Sequence, residues 1–149
     1  MRQDRNSWLS AGCMEGMEMS LHLIFSIVAI TLALICYTIG VWAEHKSGIL
    51  KWRHFAAFAT GLIFDSCGTA FMSMMADHGG KTAGSPLLSA HGITGAIAII
   101  LMLIHVIWAL IVLIKGNRET KEQFHRFSLV VWAIWLIPYF IGMFMGMGR

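Results

Sequence analysis

Four runs of apolar residues dominate the chain, each long enough to cross a bilayer as a helix. A hydrocarbon core about 30 Å thick takes about 20 helical residues. The runs extend from about Met19 to Ala43, Phe55 to Ala76, Leu87 to Ile114 and Phe127 to Met147. No alternation of polar and apolar positions competes with them, so a barrel is not expected. The stretches between runs are short, roughly 11, 10 and 12 residues. Short connections make consecutive spans antiparallel neighbours. The expected fold is therefore all-α: an integral membrane up-down-up-down four-helix bundle, one domain over residues 1–149. The first 18 residues carry charges and no apolar core, and the first run is too long for a cleavable signal peptide. Pro138 lies inside the fourth run, where it should kink the helix and free the carbonyl of Ile134. Gly142-x3-Gly146 permits close helix approach in the same run.

Composition agrees with this pattern. Hydrophobic residues make up 57% of the chain and charged residues 13%, with a mean hydropathy of +0.69. A soluble domain carries about 25% charged residues. The net charge is +3, and seven of the eleven Lys and Arg fall in two connections. These are Lys46, Lys51 and Arg53 between the first two runs, and Lys115, Arg118, Lys121 and Arg126 between the last two. Arg2, Arg5, Lys81 and Arg149 belong to the other side. The bias places both termini outside the cytoplasm. It leaves no contiguous basic face for nucleic acid. Trp8, Trp42 and Trp52 lie near the expected interfaces.

The candidate chemistry lies in polar residues at membrane depth. His91 and His105 are separated by thirteen residues within one run. That spacing is a rise of about 21 Å and a return to within about 40° of the same helix face. One helix can thus offer two imidazoles at two depths, and an imidazole there is costly without a partner. By depth, the histidines form two tiers. His22 pairs with His91 at the outer level; His105 pairs with His54 or His125 at the inner level. Paired imidazoles from facing helices are the ligand pattern of a b-type transmembrane cytochrome. His91, His105, His54 and His125 are the candidate iron ligands, with His22 a further cofactor-binding candidate.

Asp65 is the other outlier, near the middle of the second run and within about 20° of the face of His54. A buried carboxylate must be protonated or paired. It could hydrogen-bond an iron-bound imidazole from behind, take up a proton on reduction, or bond Ser, Thr or Tyr37 of another helix.

Several segments together resemble one family. They are Lys51-Trp52-Arg53-His54, Gly61-Leu62-Ile63-Phe64-Asp65-Ser66-Cys67-Gly68-Thr69, His91-Gly92-Ile93-Thr94-Gly95 and Leu101-Met102-Leu103-Ile104-His105. Phe124-His125-Arg126-Phe127-Ser128 and Trp132-Ala133-Ile134-Trp135-Leu136-Ile137-Pro138-Tyr139 complete the set. The chain from about Ile30 to Gly146 resembles the small four-span HsmA-type proteins, haem-responsive membrane proteins of bacteria. The resemblance implies haem capture in defence against haem toxicity and oxidative stress, in the bacterial cytoplasmic membrane. His54, Asp65, His91, His105 and His125 match that family's polar positions; His22 lies outside them. The two tiers are also similar in architecture to the superoxide-oxidising four-helix dihaem cytochromes.

The expected function is non-covalent binding of haem b, two per chain, for haem capture or one-electron transfer across the membrane. The expected partners are the lipid bilayer, haem, a quinone or membrane electron-transfer protein, and a second copy of the chain. An oxidoreductase activity would follow from the electron-transfer reading. Two alternatives remain. Met14, Met17, Met19, Met72, Met74, Met75, Met143, Met145 and Met147 gather at one end of the runs, beside Cys13 and His78. Such a rim suits Cu(I), although methionine is also a flexible apolar filler. The second alternative is a haem-free scaffold with interfacial histidines. Cys36 and Cys67 lie mid-span and Cys13 has no partner at its depth, so no disulfide is expected.

Overall fold

The computed structural model describes residues 2–78 and 86–147, with side chains described at 16–18, 20–75 and 90–145. The side chains of Trp8, Cys13, Met14, Met19, His78, Lys81 and Met147 thus lie outside the described residues. Four helices account for the described chain: α1 (Arg2–Ser47), α2 (Trp52–His78), α3 (Pro86–Lys115) and α4 (Arg118–Met147). Each contains a stretch long and apolar enough to cross a membrane, and the fold is that of a multi-pass membrane protein.

The helices outrun the apolar runs. Residues 48–51 alone join α1 to α2, and residues 116–117 alone join α3 to α4. These linkers are far shorter than the 11 and 12 residues that hydropathy suggests. Hydropathy marks where a helix meets lipid, whereas its end is set by where backbone hydrogen bonds stop. Polar side chains such as Lys46 and Glu122 extend the helices into water. α1 is likewise helical from Arg2, well before the apolar run that begins at about Met19.

Both tight linkers carry local stop and start signals. Gly48 adopts φ 65°, and its N–H donates to the carbonyl of Glu44 at 3.0 Å. A left-handed residue there closes α1, and glycine pays no Cβ penalty for it. Asn117 caps α4: its Oδ1 accepts from the backbone N–H of Thr120 at 2.9 Å. The N–H of Leu50 donates to the carbonyl of Lys121 at 3.2 Å, so one linker is sewn to the other helix pair. Both linkers lie at the end of the bundle that carries Lys51, Lys115 and Lys121, hereafter the basic end.

α1 packs most extensively on α2, and α3 on α4; α2 meets α3, and α1 meets α4 along the smallest contact. Among the described residues the diagonal pairs make no close backbone approach, so the bundle is square, with sequential helices as neighbours. The interior is read along each helix at spacings of three and four. α1 buries Ala33, Tyr37, Val41 and Glu44; α3 buries Ala98, Met102, His105, Ala109 and Val112. α4 buries Phe124, Ser128, Val131 and Trp135. The exposed surface carries Ile24, Phe25, Ile97, Ile100, Ile107, Trp108 and Phe144. Apolar residues outside and polar ones inside suit lipid as solvent.

Glycines set the α1–α2 approach. A Cβ on Gly40 would lie 2.6 Å from the ring of Phe58, and one on Gly61 would lie 2.5 Å from the ring of Tyr37. α4 continues through Pro138, which supplies no N–H to the carbonyl of Ile134.

Candidate functional site

Six polar side chains are buried in the described interior: Ser26, Glu44, His54, Asp65, His105 and Ser128. A buried polar group without a partner is costly, so the pairing of each is informative.

Asp65 is paired. Its Oδ2 accepts a hydrogen bond from the indole Nε1 of Trp135 on α4 at 2.8 Å. The same oxygen accepts from the hydroxyl of Tyr37 on α1 at 3.4 Å. The Tyr37 and Trp135 rings meet edge to face, with centroids 5.1 Å apart. One carboxylate on α2 therefore ties three helices at mid-membrane. The interhelical bond to Tyr37, one of the expected roles, is present, and no imidazole engages Asp65 among the described residues. The sequence does not point to Trp135 as the partner. It lies 70 residues away, and its only local signal is a polar-tipped aromatic in an apolar run.

The imidazoles are placed differently from one another. His105 is 1% exposed and enclosed by three phenyl rings. Phe58 of α2 meets it edge-on at 4.7 Å; Phe124 and Phe127 of α4 lie at 5.2 and 5.6 Å between centroids. Its Nδ1 has no hydrogen-bond partner. Phe124 and Phe127 also line an open groove with Ile104, Trp108, Thr120 and Gln123.

His91, two heptads earlier on α3, also turns toward α4. A Cβ on Gly142 would lie 2.8 Å from its Cε1, so the bare glycine makes room for the ring. The Nδ1 of His91 is buried and without a partner. His22 is not brought against it. The His22 ring stacks on Phe71 of α2, with centroids 5.7 Å apart.

His54 is buried at the start of α2, where its Nδ1 accepts the backbone N–H of Lys51 at 3.3 Å. A residue near the helix start that reaches back to the capping N–H satisfies an otherwise orphaned donor. In the neutral ring the hydrogen then sits on Nε2, which has no partner. As placed, His54 offers an N–H to the interior rather than a lone pair. His125 faces neither His105 nor the interior. Its ring lies 5.7 Å from that of His45, and its Nδ1 bonds the carbonyl of Glu122.

Glu44 is a buried residue that the hydropathy pattern assigns to a connection. It is 0% exposed, with neither carboxyl oxygen hydrogen-bonded. The Ser128 hydroxyl of α4 faces it without closing a bond of standard geometry. The signal was present: Glu44 continues the interior spacing of Ala33, Tyr37 and Val41.

Of the methionines of the rim whose side chains are described, Met17, Met74 and Met143 are exposed and Met72, Met75 and Met145 half-buried. Cys36 and Cys67 are free thiols. Among the described residues, no three His, Cys, Asp or Glu side chains converge as a metal-binding group.

The fold and these side chains define a four-span membrane protein with imidazoles in its interior. No protein-family model, no curated protein and no solved structure matches the chain.

Proposed function

We propose that the protein binds haem b in the membrane, with His91 and His105 of α3 as iron ligands at two levels. The observation that carries this reading is their shared environment. Both rings point into the bundle, both present a buried nitrogen without a protein partner, and they lie fourteen residues apart on one helix. A buried imidazole left unpaired costs roughly 1–3 kcal/mol, and two on one helix call for a common partner.

The donor set fits haem. Imidazole is an axial ligand of b-type haem, and the phenyl rings of Phe58, Phe124 and Phe127 provide an apolar surround for His105. Bound haem supplies one-electron chemistry at iron. The protein's own residues hold and orient the ligating rings, exclude water with aromatic side chains, and keep the helices in register through Asp65. Two levels about 21 Å apart along α3 suit one-electron transfer across the bilayer. Haem capture under oxidative stress is what the resemblance to HsmA-type proteins adds. We place the chain in a bacterial cytoplasmic membrane, with both termini outside the cytoplasm, because the basic end carries most of the Lys and Arg. A quinone or a membrane electron carrier is the proposed redox partner, and a homodimer the proposed assembly.

The test is the absorption spectrum and haem stoichiometry of the purified chain. Two haems per chain are expected, each with one of these imidazoles on iron. His105→Ala should remove one, and His91→Ala should remove the other. Gly142→Ala should reproduce the His91→Ala spectrum, because the added methyl occupies the space of the ring. A colourless protein, or unchanged haem content in both histidine variants, would sink the proposal.

A further inference from the structure

The end of α1 and the start of α4 meet at an imidazole pair that the haem reading leaves unused. His45 lies in the last turn of α1. His125 lies about two turns into α4. Their ring centroids are 5.7 Å apart, with the planes inclined at 54°. This is the one imidazole–imidazole ring contact among the described residues. Two imidazoles on one tetrahedral ion, with metal–nitrogen bonds of about 2.0–2.1 Å, place their centroids roughly 5 to 5.5 Å apart. A small rotation of an exposed His45 side chain spans the difference.

The tautomer of His125 is already set. Its Nδ1 bonds the carbonyl oxygen of Glu122. A carbonyl accepts only, so Nδ1 carries the hydrogen and Nε2 keeps its lone pair. An Nδ1–H bond to a backbone carbonyl is the arrangement that orients a ligating histidine and raises its basicity. No hydrogen bond engages Nε2 among the described residues. His45 is exposed and braced edge-on by Trp42, with centroids 6.2 Å apart.

We propose that His45 and His125 form a surface binding site for a borderline divalent transition-metal ion of the Cu2+ or Zn2+ class. Two neutral imidazoles suit such ions, and the absence of an added thiolate disfavours Cu(I). No third His, Cys, Asp or Glu completes the set among the described residues, so water fills the other positions. The Glu122 carboxylate is engaged by Arg118 at 2.8 Å. With Lys46 and Arg126 next in sequence to the two histidines, attraction is by coordination rather than by net charge. A site with open positions is exchangeable. It would also clamp α1 to α4 across the smallest helix–helix contact of the bundle. This proposal is independent of haem.

Cu2+ titration of the full-length chain in lipid nanodiscs, followed by electron paramagnetic resonance, tests it. The protein is expected to bind one Cu2+ with hyperfine coupling to two nitrogens. His45→Ala and His125→Asn should each weaken binding at least about tenfold and lose the two-nitrogen pattern. Asparagine retains an N–H for the Glu122 carbonyl, so a folded variant is secured. The double variant should bind no worse than the weaker single one. Zn2+ should compete for the site and raise the thermal midpoint of the unmodified protein but not of the variants. Affinity and spectrum unchanged in both variants would overturn the proposal. So would loss of the signal in His91→Ala/His105→Ala, which would put the copper on the interior imidazoles.

Discussion

Asp65→Ala is expected to destabilise the bundle by about 2–3 kcal/mol, whereas Asp65→Asn should cost less than about 1 kcal/mol. The difference follows from where the hydrogen bonds end. Trp135 and Tyr37 both donate to a single oxygen, Oδ2. The amide oxygen of asparagine can accept both bonds. Alanine strands an indole N–H and a phenol O–H in the interior, each worth about 1–3 kcal/mol in a protein core. Interhelical hydrogen bonds in membranes average nearer 0.6 kcal/mol, because the separated helices also find partners. The estimate for two donors lies between these limits. Unfolding by denaturing detergent in mixed micelles measures it, with Trp fluorescence as one probe. If alanine and asparagine are equally tolerated, the three-helix tie contributes nothing and Asp65 is free for another role.

Gly61→Ala is expected to cost about 1–3 kcal/mol, against the usual gain of up to about 1 kcal/mol for replacing a helical glycine by alanine. A Cβ on Gly61 would lie 2.5 Å from Cε1 and 2.6 Å from Cδ1 of Tyr37. Tyr37 cannot step aside. It is 0% exposed, its hydroxyl is held by Asp65, and its ring abuts Trp135. The overlap must be relieved by separating α1 from α2 or by breaking the Asp65 tie. Tyr37→Leu should therefore partly rescue Gly61→Ala, giving a favourable coupling energy in a double-mutant cycle. Gly95→Ala is the control: nothing lies within 4 Å of its Cβ position, so it should be neutral or stabilising. Equal effects at Gly61 and Gly95 would mean that the close α1–α2 approach is not maintained in lipid.

The polar interior was legible in the sequence in kind more than in pairing. That Asp65 needs a partner follows from its depth alone, and Tyr37 was among the candidates. Trp135 was not, because a bond between α2 and α4 depends on how far each helix is rotated about its axis. His125 shows the same limit. Its depth suggested a partner for His105, yet depth does not say which way a side chain faces. In the bundle Phe124 and Phe127, its neighbours on α4, take that place, and His125 turns to His45.

What the sequence determined by itself is local. The four apolar runs dictate four helices, because backbone groups in lipid must bond within their own segment. Thirteen intervening residues place His91 and His105 on one face of α3, because a helix turns by a constant angle per residue. Gly48 and Asn117 mark helix ends by their own conformational and capping preferences. Tertiary structure decided the rest. The bare faces of Gly40, Gly61 and Gly142 fix how closely the helices approach and which rings they receive. Packing also leaves Met17 and Met143 outside. These outcomes depend on shape complementarity between helices distant in sequence, which no periodicity within one helix encodes.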